Sequence, residues 1–289
     1  MHRFEYYAPT SLDEALSLLK GRSDGVKLLA GGTDLLVQMK EAGRHPSAVV
    51  SLHALPELKT IEADGDGLRI GAGVDMAAIA AHPTVRQRYP ALADGAGVVG
   101  SIQTRNMATI GGNVCNAAPS ADTTPPLIVL EAVAEIAGPD AKREVPVEEL
   151  FAGPGRTTLA PHEIVVALRL PALPARTGSV YQRHTPRKIM DIAVVGVSIR
   201  LTLQGSGSIA DARICLGAVA PTVIRAPQAE LALNGQQPSE ELFARAAELA
   251  QQVAQPISDV RGSAEFRRYL VGAMTKRCLG IALERAKGS

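Results

Sequence analysis

The residues of this chain best placed to do chemistry are two pairs without side chains. Residues 28–36 read LLAGGTDLL: an apolar run, adjacent Gly31 and Gly32, then Thr33, Asp34 and a second apolar segment. Residues 109–113 repeat the device as TIGGN, about 80 positions later. Paired glycines after a short strand let a chain turn with no Cβ in the way, so that backbone N–H groups converge on one concavity. Such a nest binds an anion, and the start of a following helix adds roughly half a positive charge. One such pair reads as an ordinary turn. Two, in this order, suit the two phosphates of a dinucleotide.

Other chemistries find less support. Cys115, Cys215 and Cys278 lie far apart with no C-x-x-C, and the histidines show neither H-x-H nor H-x-x-x-H spacing. The sequence therefore predicts no zinc site and no iron–sulfur cluster within this chain. Gly95-Ala-Gly97-Val-Val-Gly100 matches the dinucleotide fingerprint G-x-G-x-x-G, but a charged, helical-looking stretch with Pro90 precedes it instead of a strand. Its glycines read as a helix end. Gly71-Ala-Gly73 does follow a strand, yet Met76 fills the third glycine position and would crowd a helix against its sheet. A net charge of +1 gives no reason to expect a nucleic-acid or membrane-surface partner. No apolar run approaches the roughly 18 residues of a membrane span, and the first residues, MHRFEYYAPTS, lack a signal-peptide core. A cytoplasmic location is the expectation.

The elements that must position the glycines follow from period and punctuation. With 289 residues, 46% of them apolar but only 3% aromatic, the chain should form two or three cores of Ala, Val, Leu and Ile. Ser11-x-x-Glu14 is a capping box opening an amphipathic helix through Leu12, Ala15, Leu16 and Leu19, closed by Gly21. A strand at 26–30 leads into Gly31, Thr33 or Asp34 caps a helix at 35–40, and a strand at 48–52 completes a βαβ-like unit ending near 54. Asp64-Gly-Asp-Gly67 joins a hairpin. Asp75 starts a short helix, Pro90 interrupts helix at 83–99, and a strand is expected before Gly111. A loop then runs to Asp122, and Pro125-Pro126 begins a helix. Strands follow at 132–137, 145–147 and 164–170, and Pro171, Pro174 and Gly178 mark a domain boundary. Beyond it come strands at 191–203 and 212–219, then helices at 227–233, 239–254 and 263–286. The last should bury Phe266, Leu270, Ala273 and Met274.

Ala30-Gly-Gly-Thr-Asp34, Thr109-Ile-Gly-Gly-Asn113 and Ser120-Ala-Asp122 together resemble the FAD-binding medium subunits of the molybdenum hydroxylases, a family that includes xanthine dehydrogenase and the carbon monoxide dehydrogenase flavoprotein. The resemblance extends through Thr104-Arg105-Asn106 and Gly153-Pro154-Gly155 to Ser263-Ala-Glu-Phe-Arg-Arg268. Asn113-Val-Cys-Asn116 and Met274-Thr-Lys-Arg277 bring it nearest to bacterial xanthine dehydrogenase flavin subunits. It implies an α+β fold: a two-subdomain FAD-binding domain of the vanillyl-alcohol-oxidase/PCMH type at 1–174 (subdomains about 1–54 and 55–174), then a C-terminal α+β domain at 175–289 with an antiparallel sheet and helices. It also implies a site. Leu28, Leu29, Ala30, Gly31, Gly32, Thr33, Asp34 and Leu35, with Thr109, Ile110, Gly111, Gly112 and Asn113, would hold the pyrophosphate and ribityl oxygens through backbone N–H groups, and Asn106 belongs to the same set. Asp122 matches an acid that contacts ribityl or ribose hydroxyls, although it could equally cap the helix at Pro125. Val165 or Val166 falls at an apolar flavin contact. Arg183 aligns with a basic residue near the isoalloxazine that is often lysine. Cys115 reads as a small buried residue, and Arg187 with Lys188 as a solvated pair.

The function implied is electron transfer through FAD. A large molybdenum-cofactor subunit would oxidise the substrate and a small subunit with [2Fe-2S] clusters would pass electrons on, in a heterotrimer or its dimer. The flavin would deliver them to NAD, oxygen or a quinone. A free-standing FAD-dependent oxidase or reductase and a cofactor-less assembly subunit are the alternatives; the first needs a general acid or base beside the flavin, and none stands out in the C-terminal portion.

Overall fold

Short β-branched runs separated by glycine and proline turns build small sheets, and the helices between them close three apolar cores. The computed structural model describes residues 2–20, 25–187 and 189–288; Gly21 and Lys188 lie outside that set. The architecture is α+β. Glu5–Tyr7, Ala48–Ser51 and Val26–Leu29 form a parallel sheet in that order. The Leu12–Lys20 helix buries Ala15, Leu16 and Leu19 in a core shared with Val50 and Leu52. Only half of its capping box forms: Ser11 Oγ accepts from the Glu14 N–H at 3.2 Å, while Glu14 accepts from the Thr10 N–H at 2.8 Å.

Five antiparallel strands follow in the order Ile61–Asp64, Gly67–Gly71, Ile164–Leu170, Val133–Ala137, Lys142–Pro146. The hairpin turns through Gly65-Asp66, with Gly65 at φ +55°. A bulge between Val165 and Ala167 in the central strand interrupts the pairing, and Val165 and Val166 enter different cores. No strand precedes Gly111. The Ile102–Arg105 helix stands there, and Thr109 starts another, Ile110–Asn116, by accepting from the Gly112 N–H at 3.1 Å. That cap draws the second glycine pair into a helical first turn.

In the C-terminal part an antiparallel sheet runs Thr177–His184, Val195–Leu203, Ile209–Gly217, Ile224–Arg225, covered by the Pro227–Leu233, Glu240–Val253 and Ala264–Lys287 helices. The Thr177–His184 strand escapes a reading by hydrophobicity because its sequence, TGSVYQRH, is largely polar. Gly178 within it allows the last helix to lie on the sheet; a Cβ there would stand 2.1 Å from the Ala282 carbonyl oxygen. The last helix buries a face rotated from the expected one. Arg267, Leu270, Val271, Thr275, Cys278 and Leu279 point inward, whereas Phe266 and Ala273 are exposed. The buried Arg267 sets this rotation by donating to the carbonyls of Val194 and Ala218 and to Asp259. Among the described residues no helix is long and apolar enough to cross a membrane.

Candidate functional site

A cleft of about 900 Å³ opens where the parallel sheet, the five-stranded sheet and the C-terminal sheet meet. That size is near the upper end of the roughly 300–1,000 Å³ usual for cofactor and ligand sites. The turn at 30–34 forms one wall. Gly31 is pressed so closely on the neighbouring segment that a Cβ would stand 1.9 Å from the Met107 carbonyl oxygen, and Gly32 has φ +74°. Among the described residues none accepts from the main-chain N–H groups of Gly31, Gly32, Thr33 or Asp34. Four successive donors on a cleft wall fit an anionic oxygen cluster such as a diphosphate. Asp34 does not cap the Leu35–Glu41 helix with its side chain; its carboxylate accepts from Asn116 Nδ2 at 3.1 Å. Burial holds that carboxyl above its ordinary value.

The second glycine pair does different work. Ile110 and Gly111 donate their N–H groups to the carbonyls of Val74 and Ala72, Gly112 to Thr109 Oγ1, and Asn113 to the Thr109 carbonyl. No row of free donors is left for a phosphate. A Cβ on Gly111 would meet that of Ala72 at 2.6 Å, so this glycine permits close packing, and Gly112 lines the cleft beside Ala30. The two pairs thus differ: the first leaves its N–H groups without an acceptor among the described residues, and the second spends its own on neighbouring carbonyls and on Thr109. The side chain of Asn113 accepts from Thr123 Oγ1 at 2.6 Å and so ties the helix to the segment bearing Asp122.

Asp122 caps no helix either. Its Oδ2 accepts from Arg183 Nη1 at 2.6 Å and its Oδ1 from the Tyr181 hydroxyl at 2.8 Å. The side chains of Asp122 and Arg183 are 9% and 7% exposed. Burial pushes the Asp122 carboxyl up from 3.8 to about 6, against the lowering by the Arg183 charge and by hydrogen bonds from Tyr181 and Arg183. Burial, with the neighbouring Asp122, holds the Tyr181 phenol far above its ordinary range, so it stays a neutral donor.

Of the residues singled out from sequence, Leu28, Ala30, Gly31, Gly32, Thr33, Asp34, Leu35, Asn106, Thr109, Gly111, Gly112, Asn113, Asp122, Val165 and Arg183 line this one cleft. Leu29, Ile110 and Val166 do not. Ile110 and Val166 are core residues, and Leu29 gives its carbonyl to the Leu52 N–H beside the neighbouring strand. Cys115, expected buried, is exposed on the cleft wall. Arg187 pairs with Asp191 at 3.4 Å. Tyr181 was not legible as part of the site; once 177–184 is a strand, Tyr181 and Arg183 share a face by the two-residue period.

Two family models match the chain: the FAD binding domain in molybdopterin dehydrogenase over residues 2–173, and the CO dehydrogenase flavoprotein C-terminal domain over residues 181–282. The carbon monoxide dehydrogenase medium chain of Hydrogenophaga pseudoflava is 35% identical over 283 residues, covering 98% of each chain. The xanthine dehydrogenase FAD-binding subunit of Escherichia coli O157:H7 is 36% identical, covering 98% of this chain and 97% of its own. Among solved structures, a carbon monoxide dehydrogenase from Hydrogenophaga pseudoflava superposes with a TM-score of 0.95 at 36% identity, covering 98% of both chains. Quinoline 2-oxidoreductase from Pseudomonas putida 86 gives 0.92 at 32% identity, covering 99% of this chain and 98% of that one.

Proposed function

The chain belongs to the family of FAD-binding medium subunits of the molybdenum hydroxylases, and we propose that it takes electrons from an iron–sulfur partner subunit and hands them to a terminal acceptor. The observation that carries this reading is that the N–H donors at 31–34 have no acceptor among the described residues and belong to residues lining the same cleft as the Asp122–Arg183 pair. FAD held in that cleft would supply the redox chemistry.

The chain's own residues bind and orient it. The N–H groups of Gly31, Gly32, Thr33 and Asp34 would hold the diphosphate. Asp122 retains a second lone pair on each oxygen, so it can accept from a ribityl or ribose hydroxyl without releasing Tyr181 or Arg183. Val165 supplies an apolar wall and Asn106 a polar one. Arg183 would bring a positive charge to the cleft wall, which would favour the more negative, reduced cofactor. A large molybdenum-cofactor subunit, where substrate is oxidised, and a small [2Fe-2S] subunit complete the assembly; NAD, oxygen or a quinone receives the electrons. The same reading divides the chain at 174/175, supported by the matched regions ending at 173 and resuming at 181, and places it in the cytoplasm, in keeping with its three free cysteines.

Expressing the chain alone and with its two partner chains tests this. The isolated chain should bind one FAD, and the assembled complex should reduce that flavin when substrate is added. A chain that leaves FAD free, or a complex whose flavin stays oxidised while its iron–sulfur centres are reduced, would refute the proposal.

A further inference from the structure

Asp122 and Arg183 face the cleft, but the group that fixes them stands behind its wall. Tyr181 does not line the cleft; it is 4% exposed, and its hydroxyl donates to Asp122 Oδ1. The tyrosine is itself held on several sides. Its N–H donates to Asp94 Oδ2 at 3.2 Å, it pairs with Ser198 across the sheet, and its ring edge lies over Gly196, where a Cβ would come 2.7 Å from the hydroxyl. The Asp122 main chain also packs closely on Gly95, where a Cβ would stand 2.5 Å from the Asp122 carbonyl oxygen. Gly95, expected at a helix end, lies inside the Pro90–Val98 helix and is a contact point for the Asp122 segment.

We propose that Tyr181 is a positioning residue of the flavin site: its hydroxyl fixes the Asp122 carboxylate so that one oxygen stays on Arg183 and both charges keep their place on the cleft wall. The inference rests on the FAD reading of that cleft. A buried hydroxyl must find a partner or cost stability, and Phe would fill the same apolar volume without that demand. The hydroxyl is thus spent on orienting Asp122, and the ring on packing. The charged or titratable groups around Asp122 are Tyr181 and Arg183 of the Thr177–His184 strand, Cys215 two strands away on the Ile209–Gly217 strand, and Asp94, which accepts from the Tyr181 N–H.

Four forms of the full chain separate the roles: wild type, Tyr181→Phe, Asp122→Asn and the double variant, each stripped of flavin and titrated with FAD by fluorescence quenching from about pH 5 to about pH 8. Tyr181→Phe should keep its melting temperature within a few degrees and bind FAD about tenfold more weakly, the worth of one hydrogen bond to a charged group. It should also move the pH at which affinity changes upward, because the ionised carboxylate loses a donor. In the Asp122→Asn background the same change should cost less than about twofold, since the group it acts through no longer titrates. An unaltered affinity and pH profile for Tyr181→Phe, or an undiminished penalty in the Asn background, overturns the proposal and leaves the FAD reading standing. Wild type that fails to bind FAD overturns both.

Discussion

Replacing Gly31 by alanine is the sharpest trial of how the cleft is built. The new Cβ would lie 1.9 Å from the Met107 carbonyl oxygen, 2.7 Å from its carbon and 3.0 Å from Ala108 Cα. Ordinary contacts of this kind do not fall below about 3 Å, so the two segments must part by about 1 Å. Met107 and Ala108 cannot yield readily: the Met107 N–H donates to the Thr104 carbonyl at 3.1 Å, and the Ala108 carbonyl accepts from the Met76 N–H at 3.0 Å. The turn at 30–34 must move instead, taking its four donors with it. Overpacking of this sort costs roughly 1–3 kcal/mol of stability. Losing one or two bonds to an anionic ligand, at roughly 1.5–3 kcal/mol each, weakens FAD binding on the order of tenfold to well over a hundredfold. Flavin fluorescence quenching on the purified chain measures the affinity and a thermal melt the stability. Gly280→Ala is the control: it lies in the Ala264–Lys287 helix with no atom within 4 Å of the added Cβ. That change should leave FAD affinity untouched and add up to about 1 kcal/mol through helix propensity. Gly31→Ala with wild-type FAD affinity would refute the assignment of this turn as the diphosphate cradle.

Asp122 should leave a pH signature in the flavin-free chain. Its folded carboxyl is raised from 3.8 to about 6, so the stability it contributes is fully present below about pH 4 and lost as pH rises through about 6, a change of about 3 kcal/mol. Urea unfolding of wild type and Asp122→Asn should therefore diverge across that window, with wild type losing ground as pH rises; a constant difference would contradict the raised value. Arg183→Ala leaves Asp122 without its cation, and should lower the flavin midpoint potential by about 30 mV, equivalent to ~1.4 kcal/mol for two electrons. Redox titration against a reference dye checks this, and an unchanged potential would remove Arg183 from flavin tuning.

The local devices of this fold were legible in the linear sequence because each depends on neighbours a few residues apart. Asp75 and Ser263 cap the helices they precede, Gly65-Asp66 turns a hairpin, Pro90 divides two helices, and the Glu240–Val253 and Ala264–Lys287 helices run where their periodicity puts them. Most of the cleft-lining residues were legible too, since Gly31 and Gly32 occupy a turn whose geometry is fixed locally. What depends on distant segments was not. Whether a glycine pair leaves its N–H groups open or spends them on packing is decided by the acceptors opposite: none among the described residues for Gly31 and Gly32, the carbonyl of Ala72 for Gly111. The bulge beside Val165, absent from any local pattern, decides which of two adjacent valines meets the cleft. Asp122 could have been a cap or a ligand-facing acid until Tyr181 and Arg183, about 60 residues on, were seen to claim both its oxygens. A sequence specifies the donors and acceptors it carries, but only the packed chain determines which of them are already satisfied and which remain for a cofactor.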